Sequence, residues 1–191
     1  MDGLWPAREV SPGEPRRRSP LENAPGYQPP GDPEAESVIT GRRRVGPIDI
    51  PFSGGARTAT NLAKIVLDAL ALEEAETLQL IRLTFPEFRD ICWPEFPQSR
   101  PATNIEAEDA WGFLNRSSVT GISRGLSDWG GRAYEFIGLD IGEGFSRYAH
   151  FNLYKGVRIR ARDEAGRIVE IPIARTFIER DGVWKIYGYK E

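Results

Sequence analysis

Cysteine, histidine and methionine each occur once in this chain of 191 residues, and each shortage removes a class of function. A lone Cys92 excludes an internal disulfide and every multi-cysteine metal centre, and it reads as a buried, inert thiol. A lone His150 cannot build a multi-histidine zinc site, and there is no HExxH pattern. Nucleophile elbow, P-loop, GxGxxG and EF-hand spacings are missing as well, so neither a metal nor a cofactor is expected. Positive charge is not in surplus: 25 Lys and Arg against 28 Asp and Glu leave a net charge of -3, which argues against nucleic acid as a partner. No apolar run approaches the length of a transmembrane segment, and residues 1–31 lack the apolar core of a signal peptide. That points to the cytoplasm. A proline-rich leader also follows a removed signal or lipid anchor, so an exported or lipid-anchored protein is the alternative if the chain is a piece of a longer one.

With 40% hydrophobic residues the chain can bury one sizeable core. Residues 1–55 hold 10 of the 15 prolines and 8 of the 20 glycines, and they have too few large apolar side chains to offset the entropy of ordering. They are expected to be a disordered arm in front of a single domain at 56–191. The arginine runs Arg16–Arg18 and Arg42–Arg44 are nearly cancelled by interspersed acids and read as solvated linker. The stretch VGPIDIPF (45–52) alternates well enough to lie against the domain or add as an edge strand.

Thr60 is placed to cap a helix whose apolar stripe is Leu62, Ile65, Val66, Ala69 and Leu70, continued by Leu78, Ile81 and Leu83 after Glu73. Between Phe85 and Pro101 four prolines interrupt a segment rich in aromatics, which predicts short turns laid over the core as a lid. Thr103 to Glu106 has the pattern of a capping box and opens a long helix ending at Gly130-Gly131. Gly121 and Gly125 fall on its apolar stripe. Glycine inside a helix costs about 1 kcal/mol against alanine, so both positions predict close approach of the helix backbone to a neighbour or ligand.

Phe145 to Lys190 reads as three consecutive antiparallel strands joined by two turns. In the first, Asp163 opens a type I turn and Gly166 takes the bulge position, which sets Ala161 against Val169, Ile159 against Ile171, Val157 against Ile173 and Arg160 against Glu170. The second, Asp181-Gly182, is a two-residue type I′ loop that sets Phe177 against Ile186 and Glu179 against Trp184. Both hairpins then present one shared apolar face.

Helices first and a long antiparallel sheet afterwards define an α+β domain. The opening ATNLAKIVLDALALEEAETLQLIRLTFPEF and the closing IPIARTFIERDGVWKIYGYKE resemble the nuclear transport factor 2-like superfamily, which includes SnoaL-like proteins. The stretch from Glu87 through Pro97 to Trp129-Gly130-Gly131 is similar to bacterial members of this type, some of them exported. The resemblance spans about residues 58–191 and implies N-terminal helices packed on a curved antiparallel sheet, the cystatin-like cone. It further implies a cavity between sheet and helices and a homodimer through the outer sheet face. The superfamily's enzymes place a carboxylate base and a polar partner in the cone, and no such pair in this sequence matches theirs.

Straight alternation places Arg175 in the apolar row Val169, Ile171, Ile173, Phe177, opposite Gly188. A guanidinium there requires either a carboxylate, with Glu179, Asp140 and Glu135 as candidates, or an anionic ligand. Tyr148, His150, Asn152 and Tyr154 share the other face, while Phe151 and Leu153 point inward with Val157 and Ile159. Only a bulge near Lys155-Gly156 would reverse that phase and turn His150, Asp140 and Tyr148 into a catalytic set. Arg158, Arg160 and Arg162 make a basic stripe that reads as a solvated face. Trp93, Trp111, Trp129 and Trp184 read as core aromatics that could line a pocket. The expected ligand contacts are Arg175, Trp111, Phe177, Trp184 and Trp93, for a small apolar or anionic molecule. The functional expectation is a noncatalytic small-ligand-binding or dimeric interaction module. The alternative is a cofactor-independent isomerase, cyclase or dehydratase.

Overall fold

The computed structural model describes residues 45–190; the arginine runs and most of the expected arm lie outside the described residues. Two helices, α1 (Ala59–Ala71) and α2 (Ala75–Leu80), come first. A chain of short helical turns follows: Phe85–Glu87, Phe88–Cys92, Trp93–Glu95, Pro97–Ser99 and Pro101–Thr103. Then come the long helix α3 (Ala107–Trp129) and five strands: β1 (Tyr134–Arg147), β2 (Asn152–Asp163), β3 (Ile168–Ile171), β4 (Ala174–Arg180) and β5 (Val183–Tyr189). The domain is α+β, with helices packed on one curved antiparallel sheet of order β1-β2-β4-β5, in which β3 also pairs with β2.

Local sequence explains most element ends. Thr58, not Thr60, caps α1, its hydroxyl accepting the amide of Asn61 at 3.0 Å. The expected box at Thr103 does not form: the Thr103 hydroxyl donates to the carbonyls of Gln98 and Arg100, and α3 starts at Glu106 without a side-chain cap. A capping box closes instead at Thr84 and Glu87, where proline in the first turn leaves no amide to satisfy.

Turn chemistry sets the hairpins. Ala161 pairs with Val169, Ile159 with Ile171 and Arg160 with Glu170, while Phe177 pairs with Ile186 and Glu179 with Trp184. Asp181 and Gly182 both have positive φ, 50° and 78°, as a type I′ loop requires. The expected pair of Val157 with Ile173 is not made, because β3 ends at Ile171 and Pro172 has no amide for the ladder. The outer edge of β5 is covered: Ala56 exchanges two backbone hydrogen bonds with Trp184, and Ile81 and Leu83 bond Ile186.

The phase of β2 reverses, against the straight alternation expected. Tyr154 stands opposite Phe177 and packs with it, and Val157 three residues on joins the same core. Gly156 makes this possible with φ 67°, beside an irregularity in β1 between Ile141 and Gly144. Two cores result. On one sheet face Leu62, Val66, Leu67 and Leu70 of α1 fill the space against Val157, Ile159, Ile171, Phe177 and Ile186. On the other, Phe151, Leu153 and Ile178 meet Phe52, Phe88, Ile91, Cys92 and Phe96. Phe52 is buried, so the packed fold reaches back before residue 55 and the expected boundary moves toward the N-terminus; 45–52 lies against the domain without forming a strand.

α3 crosses from the second core, with Trp111 and Leu114, to the first, with Ile122. Gly121 and Gly125 permit that crossing. A Cβ on Gly121 would lie 2.6 Å from the backbone oxygen of Lys190, and one on Gly125 would lie 2.2 Å from Cδ1 of Ile173. Gly121→Leu and Gly125→Leu should each lower stability by about 1–3 kcal/mol or more. The Gly125→Ala variant should be milder than Gly121→Ala and partly rescued by Ile173→Val, because it meets a side-chain tip rather than backbone. Urea denaturation checks this ordering, and neutral behaviour of both leucine variants would contradict the packing.

Candidate functional site

The chain of turns between Phe85 and Thr103 carries the aromatics of the second core, and two buried carboxylates hold it to the sheet. Glu87 comes from the capping box. Lys185 comes from β5, where alternation puts it on the same face as Val183 and Tyr187, and it is fully buried. Its ammonium donates to Glu87 Oε1 at 3.0 Å and Oε2 at 2.7 Å and to the Ser53 carbonyl at 2.8 Å. Glu87 also accepts the amides of Ser53 at 2.7 Å and Thr84 at 2.8 Å. Burial by itself would raise the Glu87 pKa, but Lys185 and these amides together hold it below the usual value.

Glu95, with 1% of its side chain exposed, is the second clamp. It accepts the amides of Ala149 at 2.6 Å and His150 at 2.9 Å, and its Oε1 lies 2.7 Å from Nδ1 of His150. His150 is therefore neither on an outer strand face nor in a cone with Asp140: it sits in the bend before β2, half-buried against Glu95. Asp140 is exposed on β1, opposite Arg158. Arg180 secures the same bend, donating from Nη1 to the His150 carbonyl at 2.8 Å and from Nη2 to the Ile48 carbonyl.

Between the turns, the start of α3 and the sheet lies a cleft of about 780 Å³. Leu153, Lys155 and Tyr187 contribute from the sheet, Phe88, Trp93 and Phe96 from the turns, and Ile105, Asp109 and Phe113 from α3 and its approach. Tyr148, edge-on to Phe96 and stacked on Phe151 at 4.5 Å, lies between this cleft and a smaller polar one of about 460 Å³ lined by His150, Asp49, Arg147 and Asp181. Burial raises the pKa of Tyr187 far above that of a free phenol, so its hydroxyl stays neutral and able to donate. Burial, then the nearby Glu95 and Glu87, likewise raises Cys92, which is an inert core thiol.

Of the five expected ligand contacts, Trp93 lines the large cleft. Phe177 is core and Trp184 packs against Tyr154 on the α1 face. Trp111 is wedged between Phe85 and Phe88. Arg175 is exposed: a bulge between Ala174 and Phe177 sets Thr176, not Arg175, against Gly188, so no partner is demanded of the sheet. The buried guanidinium groups are those of Arg180 and of Arg82, 3% exposed, which donates from Nη1 to Gln79 at 2.8 Å and Asn115 at 3.2 Å and lies over Trp111. Desolvation lowers its pKa, with partial relief from Tyr189. Arg158 and Arg162 are exposed and answered by Glu170, Asp140 and Glu135, a solvated stripe.

Sequence reasoning missed Glu87, Glu95 and Lys185, although Lys185 in an apolar row raised the question that was asked of Arg175. Among the described residues no cluster suited to a metal ion occurs, and no helix is long and apolar enough to cross a membrane. Comparison with protein families, with curated proteins and with solved structures found no match to this chain.

The Glu87–Lys185 pair makes a direct prediction. Lys185→Met leaves a carboxylate buried and uncompensated and should cost about 3–5 kcal/mol, whereas Lys185→Met with Glu87→Gln should cost less than the sum of the two single changes. Because the folded pKa of Glu87 is lowered, its contribution is present above the unfolded carboxylate value near ~4.3 and lost as pH falls through the folded value. Native stability should therefore decline in acid more steeply than that of the double variant. Parallel declines would contradict the assignment.

Proposed function

We propose that the chain is a noncatalytic module that binds a small, largely apolar ligand in the cleft between the turns, α3 and the outer half of β2 and β5. The observation that carries this reading is the cleft itself, whose aromatic turns Glu87 fastens to the sheet and Glu95 to the bend before β2. Pockets of this size with apolar walls and few polar groups are the usual form of small-molecule sites. Phe113, with the Arg116 guanidinium over its ring, is 70% exposed and Ile105 41%, apolar surface left open at the cleft. The order of helices and sheet supports the resemblance to the nuclear transport factor 2-like superfamily, which belongs to the same proposal. The homodimer belongs to it as well, favoured by Ile137, Ile141 and Phe145, which stand exposed along β1.

A second reading, the cofactor-independent isomerase, cyclase or dehydratase, is favoured by one observation: Glu95 binds Nδ1 of His150, the arrangement that orients an imidazole for proton transfer through its other nitrogen. Glu95 would take the part expected of Asp140. Solvent-deuterium exchange into enolisable ketones, present with the native protein and absent with His150→Asn, would establish it.

The binding reading is tested with an uncharged fluorescent probe such as N-phenyl-1-naphthylamine. Saturable binding at one site per chain is expected, weakened about tenfold or more by Phe113→Lys, which adds charge to an exposed edge without touching the core. No saturable binding, or equal binding by the variant, would overturn it.

A further inference from the structure

On the sheet floor of the large cleft two polar groups have no partner in the fold, and Gln98, Asn104 and Asp109, which line it from the turns and α3, have no side-chain hydrogen bond or ion pair among the described residues either. Lys155 is exposed in the cleft and makes no ion pair or hydrogen bond among the described residues. Tyr187 lines the same cleft, and its hydroxyl has no hydrogen-bond partner among them. The reversal of phase at Gly156 puts Leu153 on the sheet face of the second core, and alternation puts Lys155 beside it on that face. Tyr187 packs against this core too, and Thr176 of β4 pairs with both Lys155 and Gly188, so the lysine and the tyrosine stand on the two strands that flank β4, on the same sheet face. A cation and a neutral hydrogen-bond donor on the floor of an apolar cleft complement a single anionic head on an apolar body. Asp109 is the acid of the cleft, and it is not within ion-pair distance of Lys155. It stands in the first turn of α3, where the unpaired amides of the helix start oppose its charge.

We infer that the ligand is an amphipathic monocarboxylate, a fatty or arylalkanoic acid, whose carboxylate is met by the ammonium of Lys155 and the hydroxyl of Tyr187 while its hydrocarbon body lies along Trp93, Phe96 and Phe113. This rests on the binding reading above and deepens it.

The test compares dodecanoate, dodecanol and dodecylammonium, each below its aggregation concentration, by displacement of the naphthylamine probe at pH 7.5. Dodecanoate should bind about tenfold or more tightly than dodecanol, a charge-assisted hydrogen bond's worth. Lys155→Met and Tyr187→Phe should each erode that preference, with the circular dichroism spectrum unchanged. The preference should also fade below roughly pH 5, where the ligand carboxylate is protonated. Equal affinity for dodecanoate and dodecanol, or a preference that survives both substitutions, overturns the head-group assignment while leaving the apolar site standing. Preference for dodecylammonium overturns it in favour of Asp109. Failure of all three to displace the probe, or absence of probe binding, tells against the cleft as a ligand site and takes the inference with it.

Discussion

The buried ion pair between Lys185 and Glu87 is the interaction on which the rest of the structure depends. It joins three parts of the chain that are far apart in sequence: the Ser53 segment, the capping box before the aromatic turns, and the strand β5. An ammonium removed from water costs several kcal/mol unless its partners are close and complete. Here two carboxylate oxygens and a carbonyl receive it, and the carboxylate also accepts from the amides of Ser53 and Thr84 and from the Ser53 hydroxyl. The pair is thus weak evidence for added stability but strong evidence for position, since any register of β5 that exposed Lys185 would strand Glu87.

From that anchor the second core follows. The turns from Phe85 onward contain too many prolines for one regular helix, so their aromatics need fixing to stay over the sheet. Glu87 fixes the start, and Glu95 fixes the middle on the amides of Ala149 and His150. Phe88 packs on Trp93, on Phe96 and on Trp111 of α3, and Phe96 packs on Tyr148 and Phe151, while Trp93, Phe96 and Phe113 line the space left between the turns and the start of α3. The gap that remains is the cleft. It lies on the sheet face away from α1; on the α1 face, helix and sheet side chains pack into the first core.

What was legible in the sequence was local. Asp163 to Gly166 and Asp181-Gly182 dictated both hairpins because turn type fixes register over the few residues on either side. Gly121 and Gly125 announced a close contact because their cost in a helix needs a reason. The errors arose where one residue shifts a phase. Gly156 could have been a passenger or a bulge, and its positive φ, invisible in the letter, moved Leu153 to the opposite face from Val157. The bulge at Thr176 did the same to Arg175, turning a supposed buried charge into an exposed one. The clamps were missed because Glu87 and Lys185 are paired across the fold, and because Thr84 to Glu87 was passed over for a similar pattern at Thr103 whose side chain is spent on other carbonyls.

The central claim is that the open apolar space of this fold is the cleft beneath the aromatic turns and not the α1 face. Backbone amide shifts recorded by nuclear magnetic resonance during titration with uncharged dodecanol test it most directly. Perturbations should concentrate at Trp93, Ile105, Phe113, Leu153 and Tyr187, with Leu62, Val66, Ile159 and Ile171 unmoved. Perturbations centred on that second group, or spread evenly over the molecule, would contradict it.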